Sequence, residues 1–460
     1  MTSIFNPGAL ADHWTSGVIR RAIYPLWTRR NHPAYRRYAK LFEKSQHLSV
    51  TALDEMQFTL LRELLLHVYR YTTFYRRRME AIGISPLDIR SVADLQMLPV
   101  LTKYDIQENM DEMVADCVPA TSRERNQTGG STGMPLQFWV DKERFDSRRA
   151  STDRHNAWAS FYPGDWCAVL WGSRLDTGAA IIPKITWRQQ YLDRSLILNT
   201  SLVSREDLNN YISLLRRYRP RHLKAYAQSA QMFAKYCREV GADDIRFDSI
   251  ITTAEVLQPE ARQVIEEVFH GKVFNRYGCR EVSVIASECE YHTGLHVNAD
   301  ALIVEIDPIP GAPPGVGHIL VTDLYNRSMP LIRYQIGDLA RWETGEPCPC
   351  GRNLSRIADI EGRITDFLRM PDGKLISGTS LTLVVADMSE VRQAQFVQSC
   401  ATEVQLRIVP GIGYGMHTVQ ELKRRLSLYL QDQVELAIQV VENIPREISG
   451  KYRFVKAEFN

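Results

Sequence analysis

No apolar run in the sequence approaches the roughly 18 residues that a membrane-spanning helix requires. The first residues, with Asp12, His13, Arg20 and Arg21 among mixed neighbours, lack the apolar stretch of a secretory signal. Charge of one sign is missing too: 56 Lys and Arg against 54 Asp and Glu leave a net charge of +2, so no bulk field points to nucleic acid or to a membrane surface. Eight cysteines in 460 residues do not make a disulfide framework. Four of them, Cys117, Cys167, Cys237 and Cys400, stand isolated and read as core residues. There is no internal repeat and no low-complexity tract. A cytoplasmic globular protein fits, and the chain is too long for one compact domain.

Residues 1–45 are rich in aromatics and arginine and read as an N-terminal extension: a dimer arm, a partner surface or a disordered leader. From residue 52 to 81 the pattern is helical, with Leu60, Leu61, Leu64, Leu65 and Val68 on one stripe. Thr102 reads as the cap of a following helix. Further on, strands at 136–140, 165–171, 223–226, 249–252 and 273–274 are interleaved with helices at 205–218 and 259–269. That alternation predicts a wound α/β sheet. Strands at 301–306 and 318–322 around a Pro/Gly-rich turn mark a change to antiparallel structure. The last part reads as strand 381–386, strand 404–409, helix 419–433 and strand 435–441, a small α+β unit.

Thr128-Gly129-Gly130-Ser131-Thr132-Gly133-Met134-Pro135 is a flexible, donor-rich loop. Its glycines let backbone N–H groups turn toward an anion, and its hydroxyls add donors of their own. It lacks the Gly-Lys-Ser/Thr ending of a Walker P-loop. Four segments follow in order: Tyr277-Gly278-Cys279-Arg280-Glu281, Arg333-Tyr334-Gln335-Ile336-Gly337-Asp338, Gly362-Arg363-Ile364-Thr365-Asp366 and Pro445-Arg446-Glu447-Ile448-Ser449-Gly450-Lys451.

Together these five segments resemble the signature of the adenylate-forming superfamily, above all its phenylacetate–coenzyme A ligase-like and CapK-like branch. The resemblance runs from about Leu48 to the C-terminal lysine. It implies a large α/β domain of wound sheets with a β-rich subdomain (46–365), followed by a small, mobile C-terminal α+β lid (366–460). It also implies a reaction: a carboxylic acid, expected to be aromatic, attacks the α-phosphate of ATP to give an acyl-adenylate and pyrophosphate. The acyl group then passes to the thiol of coenzyme A. Transfer to an amine or to a carrier-protein thiol is the alternative. A catalytically inactive nucleotide-binding scaffold is the alternative of another class, and Met134, standing where much of the superfamily has a loop lysine, is its only support. A homodimer is common in this branch.

Roles follow from the matched positions. Thr128, Ser131, Thr132 and the backbone of Gly129, Gly130 and Gly133 would hold phosphates. Glu281 resembles the Mg²⁺ carboxylate, a hard oxygen ligand for a hard cation. Tyr277, beside Gly278, would lie on adenine, and Ala254 and Glu255 would border it. Asp338, an acceptor with two oxygens, would take both ribose hydroxyls. Arg363 would reach ribose or phosphate, and Asp366 would be the hinge between two lid orientations. Lys451 would bridge the attacking carboxylate and the α-phosphate. Tyr226, Phe274 and Tyr277, with His155 and Trp158 nearby, are candidates for the acid pocket. Separately, Cys289, His296, Cys348 and Cys350 offer three thiolates and an imidazole for a structural, tetrahedral Zn²⁺, with His292 as the competing imidazole.

Overall fold

The computed structural model describes residues 14–128, 136–171, 186–200, 202–255, 257, 259–308, 315–361, 367–372, 375–377, 381, 384–385, 388–431, 433–444 and 454–457. Strands β1 (Arg123–Gln127) and β2 (Gln137–Asp141) form an antiparallel hairpin. Then come β3 (Cys167–Trp171), β4 (Ser195–Asn199), the short β5 (Leu202–Val203), β6 (His222–Tyr226), β7 (Ser249–Thr253) and β8 (Lys272–Cys279). Strands β4, β3, β6, β7 and β8 lie side by side, all parallel. Helices Arg205–Tyr218, Ala227–Glu239 and Pro259–Phe269 supply the crossovers. Their apolar stripes pack on Ala168, Leu198, Leu223, Ile250 and Val273, one face of the sheet.

At β8 the chain reverses. Strand β9 (Ser283–Glu288) pairs antiparallel with it, followed by β10 (Leu295–Val297), β11 (Leu302–Pro308), β12 (Gly317–Asp323), β13 (Tyr334–Trp342) and β14 (Arg356–Glu361). The wound part and the antiparallel part, read from sequence as two pieces, are one sheet of eleven strands, ordered β11-β12-β13-β14-β10-β9-β8-β7-β6-β3-β4.

The C-terminal unit holds β15 (Phe367–Arg369), β16 (Leu375–Ser377), β17 (Val391–Cys400), β18 (Glu403–Pro410), β19 (Glu435–Val440) and β20 (Val455–Ala457). Helix Met416–Leu430 buries Leu422, Leu426, Tyr429 and Leu430 against Phe396 and Leu406 of the four-stranded sheet β19-β18-β17-β20. The β15–β16 hairpin pairs through β16 with β5, Leu375 facing Val203 and Ile376 facing Leu202. One expectation is overturned here. Residues 381, 384 and 385 are helical, not strand. Leu381, Val384, Val385 and Met388 are buried at spacings of three, four and seven, the stripe of a helix.

Hydrophobic patterning does not find helix Lys142–Trp158. It is polar almost throughout, yet Arg144, Asp146, Ser147, Arg148, Arg154 and His155 are buried. The N-terminal segment is the reason. Helices Tyr24–Asn31 and Tyr35–Ser45 lie against it: the Tyr24 and Tyr35 hydroxyls donate to Asp153 at 2.5 and 2.8 Å, His32 Nδ1 meets Asp146 at 2.7 Å, and the Tyr38 hydroxyl donates to Glu143 at 2.7 Å. Residues 14–45 are thus part of the body, covering a helix that would otherwise face water. Of the isolated cysteines, Cys167 and Cys237 are buried, but Cys117 is exposed and Cys400 half-buried; both lie outside the core they were assigned to.

Arg154 and Asp300 form a buried pair, their side chains 3% and 0% exposed. Asn298 accepts from the same guanidinium at 2.6 Å, and the Ser45 hydroxyl donates to Asp300. Removing one partner strands the other charge in a dry site. Asp300→Ala is expected to destabilise the protein by about 3–5 kcal/mol in urea unfolding followed by tryptophan fluorescence. The double variant Arg154→Met/Asp300→Leu should recover part of that loss; a double as unstable as the single would show that packing, not charge, holds this joint.

Candidate functional site

The hairpin β1–β2 carries the donor-rich loop at its tip. At the loop's base, the Thr128 N–H donates to the Leu136 carbonyl at 2.9 Å, and the Thr128 hydroxyl accepts from the Leu136 N–H at 2.9 Å. Thr128 is therefore the buried clasp of the loop. Gly129, Gly130, Ser131, Thr132 and Gly133 lie outside the described residues, as do Arg363, Asp366 and Lys451.

Helix Lys142–Trp158 starts directly after β2, capped by Asp141, whose Oδ1 accepts from the Arg144 N–H at 2.7 Å. Arg144 donates to Asp323 at 2.8 Å and to the Val282 carbonyl at 3.1 Å. Arg148 donates to the carbonyls of Arg280 and Glu281. The same helix thus links the loop hairpin to the 280–282 turn. Burial, then the charge of Arg144, brings the Arg148 guanidinium down to about 10. Burial, then Glu281, pushes the Cys279 thiol well up.

Two crossed hydrogen bonds tie segment 277–281 to segment 334–338. The Tyr277 hydroxyl donates to Asp338 Oδ2 at 2.9 Å, and the Tyr334 hydroxyl donates to Glu281 Oε1 at 2.8 Å. Strands β8 and β13 are separated by β9, β10 and β14 in sheet order, so the antiparallel half curls back to bring them together. Gly278 makes the turn possible: a Cβ there would meet the Ser283 carbonyl oxygen at 2.4 Å, at a register shift between β8 and β9. Segment 334–338 is fixed from behind by Arg333, which donates to Glu305 at 3.0 and 3.1 Å, and by Leu101, which exchanges backbone bonds with Arg333 and Gln335.

Ala254 and Glu255 leave the carboxyl end of β7, the end at which wound sheets receive ligands. Ala254 has φ +67°, a strained setting for a residue with a Cβ. Glu255 is buried and accepts from the Gln228 N–H at 2.8 Å, which closes the end of β7 onto the start of helix Ala227–Glu239, the helix that follows β6. Burial pushes its carboxyl up from 4.5 to about 7.

The cysteine–histidine group is elsewhere, where β9, β10 and β14 meet. One donor atom each from Cys289, His296, Cys348 and Cys350 lies within 4.8 Å of every other. Cys289 Sγ is 3.5 Å from Cys348 Sγ, and Cys350 Sγ is 3.4 Å from His296 Nε2. His296 Nδ1 meets the Leu354 carbonyl at 3.3 Å, which turns Nε2 toward the sulfurs. The rival His292 is engaged by Glu288 at 3.1 Å.

The structure thus brings together Tyr277, Gly278, Glu281 and Asp338, keeps Thr128, Ala254 and Glu255 on elements packed around them, and sets the cysteine group apart. Sequence reasoning missed Arg148 and Tyr334. Tyr334 sits inside a quoted segment, where its alternation with Asp338 along one strand was a usable signal. Arg148 gave none, because its helix reads as solvated.

Comparison with known proteins adds kinship. Residues 368–458 match the family described as the CapK C-terminal domain. The chain is 25% identical over 411 residues to Protein CapK of Staphylococcus aureus, covering 87% of this chain and 88% of that one. It is 25% identical over 438 residues to a phenylacetate–coenzyme A ligase of Thermus thermophilus, covering 88% and 96%. A phenylacetate–coenzyme A ligase of Escherichia coli is 27% identical over 333 residues, covering 70% and 73%. Among solved structures, a 2-hydroxyisobutyryl-CoA ligase with its acyl-adenylate and CoA superposes with a TM-score of 0.58 at 22% identity, covering 90% of this chain and 91% of that one. The chain is a homologue of CapK and of the phenylacetate–coenzyme A ligases, with the fold of acyl-CoA ligases.

The raised Glu255 carboxyl has a pH consequence. The folded protein holds this proton above the pH at which the unfolded chain loses it, so its contribution to stability is full below 4.5 and is lost as pH rises toward about 7. Glu255→Gln keeps an acceptor for Gln228 and removes the titration. It is expected to raise Tm relative to wild type at pH 8 and to flatten the pH dependence between about 4.5 and 7. An unchanged slope in thermal scans would reject the assignment.

Proposed function

We propose that this homologue of CapK and the phenylacetate–coenzyme A ligases is an AMP-forming acid–coenzyme A ligase. It converts a carboxylic acid and ATP to an acyl-adenylate and pyrophosphate, then transfers the acyl group to the thiol of coenzyme A. The observation that carries this reading is the crossed pair Tyr277–Asp338 and Tyr334–Glu281, standing where the parallel sheet ends. It sets an aromatic ring, a carboxylate for a diol and a second, buried carboxylate side by side. The names of the ligase relatives make an arylacetic acid the first substrate to try. ATP and coenzyme A as reactants are consistent with a cytoplasmic enzyme.

The chemical difficulty is that a carboxylate must approach a polyphosphate. In this reading, Asp338 accepts the ribose hydroxyls while the Tyr277 hydroxyl fixes one of its oxygens. The Tyr277 ring borders the base. Ala254 and Glu255 form the floor of the adenine site. The loop above Thr128 offers N–H groups to the phosphates. The donor set fits magnesium: Glu281 is a buried carboxylate, 4% exposed, and Tyr334 holds its orientation. Magnesium held by Glu281 would offset negative charge on the phosphates. Lys451 brings an ammonium to the reacting carboxylate and α-phosphate, Arg363 binds ribose or phosphate, and Asp366 is the hinge on which the C-terminal unit, 366–460, turns as a lid over 46–365.

The test is ATP–pyrophosphate exchange by purified protein with magnesium and a panel of carboxylic acids, followed by thioester formation with coenzyme A. Exchange without thioester, and acyl transfer to an amine or a carrier protein, would favour the alternative acceptor. No exchange with any acid would favour the inactive scaffold. Lys451→Ala is expected to lower exchange about 10²–10³-fold while sparing ATP binding measured by calorimetry. A wild-type rate in that variant would remove Lys451 from the chemistry.

The cysteine group fits structural zinc. Three sulfurs and an imidazole nitrogen oriented by a backbone carbonyl form a closed tetrahedral donor set. Such an ion would pin β9, β10 and the 348–350 knuckle together, away from the crossed pair, and would take no part in the reaction. Purified protein is expected to carry about one zinc per chain by elemental analysis. Cys350→Ser should lose it and lower Tm. Metal-free protein of unchanged Tm would reject this reading.

A further inference from the structure

One face of the parallel sheet packs the crossover helices; the other carries charge. Val169, Lys224, Ile251 and Phe274 stand in register across four neighbouring strands. Val169, Ile251 and Phe274 share a cluster with Phe161, on the face away from the crossover helices. The Lys224 ammonium lies 5.2 Å from the centre of the Phe161 ring, on that same face. Side chains alternate along a strand, so Tyr226, two residues beyond Lys224, and Arg276, two beyond Phe274, face the same way. Tyr226 and Thr253 pair at the carboxyl ends of β6 and β7. Lys224 is therefore one pleat repeat, about 7 Å, below the strand ends.

The charges on this face do not balance. Arg276 is only 8% exposed, and its Nε donates to the Ser287 hydroxyl at 3.3 Å. Arg149 reaches the Tyr24 hydroxyl at 3.4 Å and lies over Trp27. Among the described residues, neither Lys224 nor Arg276 has a carboxylate within ion-pair distance. The field of Asp153 reaches both, and this carboxylate already accepts from Tyr24 and Tyr35. Burial lowers the Lys224 ammonium and brings the Arg276 guanidinium down to about 10. Arg149 also feels Asp193, which leaves Lys224 and Arg276 as the two cations without an ion pair among the described residues, in a place where unpaired charge is expensive to keep.

We propose that this face of the sheet receives a second anionic group of the acyl substrate, and that the acid activated here is a dicarboxylic acid. Its reacting carboxylate stays at the strand ends and its distal carboxylate lies between Lys224 and Arg276. The proposal rests on the acid-activating reading above and deepens it. An arylacetate, whose one carboxylate is the reacting group, would leave both cations unpaired.

The experiment compares para-carboxyphenylacetate with phenylacetate and para-tolylacetate, and glutarate with butyrate, in ATP–pyrophosphate exchange by wild type, Lys224→Met and Arg276→Met. The diacids are expected to be preferred in kcat/KM. Each variant should raise the diacid KM roughly ten- to hundredfold and leave the monoacid and ATP KM values unchanged. Each variant should also raise the Tm of the unliganded protein, because a buried unpaired charge has gone; a structural ion pair would give the opposite. Equal use of monoacids and diacids, or a larger effect on the ATP KM than on the diacid KM, would overturn the proposal, the latter assigning the cations to nucleotide phosphate. If no acid supports exchange, the ligase reading fails by itself. The proposed site is then judged by binding: para-carboxyphenylacetate or glutarate raising the Tm of wild type but not of Lys224→Met supports it, and no rise overturns it.

Discussion

Three arginines on one buried helix set the terms for the large unit. Arg144, Arg148 and Arg154 are in the interior, where a guanidinium without acceptors is not tolerated. Besides the Ser147 hydroxyl for Arg144 and the Phe42 carbonyl for Arg154, their acceptors come from the stretch 280–323: Asp323 and the Val282 carbonyl for Arg144, the 280–281 carbonyls for Arg148, Asp300 and Asn298 for Arg154. This requirement seats the turn that carries Glu281 against the helix that follows the loop hairpin. It also explains why the N-terminal helices are needed. They supply the hydroxyls and the imidazole that satisfy the acids of the same helix, and they exclude water from it.

Much of the architecture was legible because strands and crossover helices announce themselves by period. Helices Arg205–Tyr218 and Pro259–Phe269 fall where the pattern puts them, and Thr102 caps the helix it was assigned to. Three things escaped. Helix Lys142–Trp158 is polar on all sides because its burial is by ion pairs, which hydrophobic periodicity does not register. The helical residues 381, 384 and 385 looked like strand because the short, branched apolar run there satisfies both periods. The union of the two sheet halves was hidden because the switch from parallel to antiparallel at β8 lies in backbone pairing, not in composition.

The candidate site divides in a similar way. Tyr277, Glu281 and Asp338 were legible as motif residues, and the curl of the sheet supplies what a motif cannot: their mutual contact. Lys224 and Arg276 were not legible, since neither carries a spacing of its own. A lysine inside a strand is conspicuous only after register shows which face it occupies and which residues stand beside it. The proposed determinants of acid choice are thus a few side chains on one face of the sheet, whereas the groups proposed to face the nucleotide belong to turns and strand ends.

The pairing of β16 with β5 bears on how the small unit could turn. Leu368, Met370 and Ile376 of the hairpin are buried in the C-terminal core, while its backbone edge lies on Leu202–Val203 of the large unit. That seam is two residue pairs long. A turn of the small unit of the kind proposed above would break these two pairs of the ladder. On the lid reading proposed above, this pairing is the latch of the present orientation, and Leu368, Met370 and Ile376 travel with the small unit.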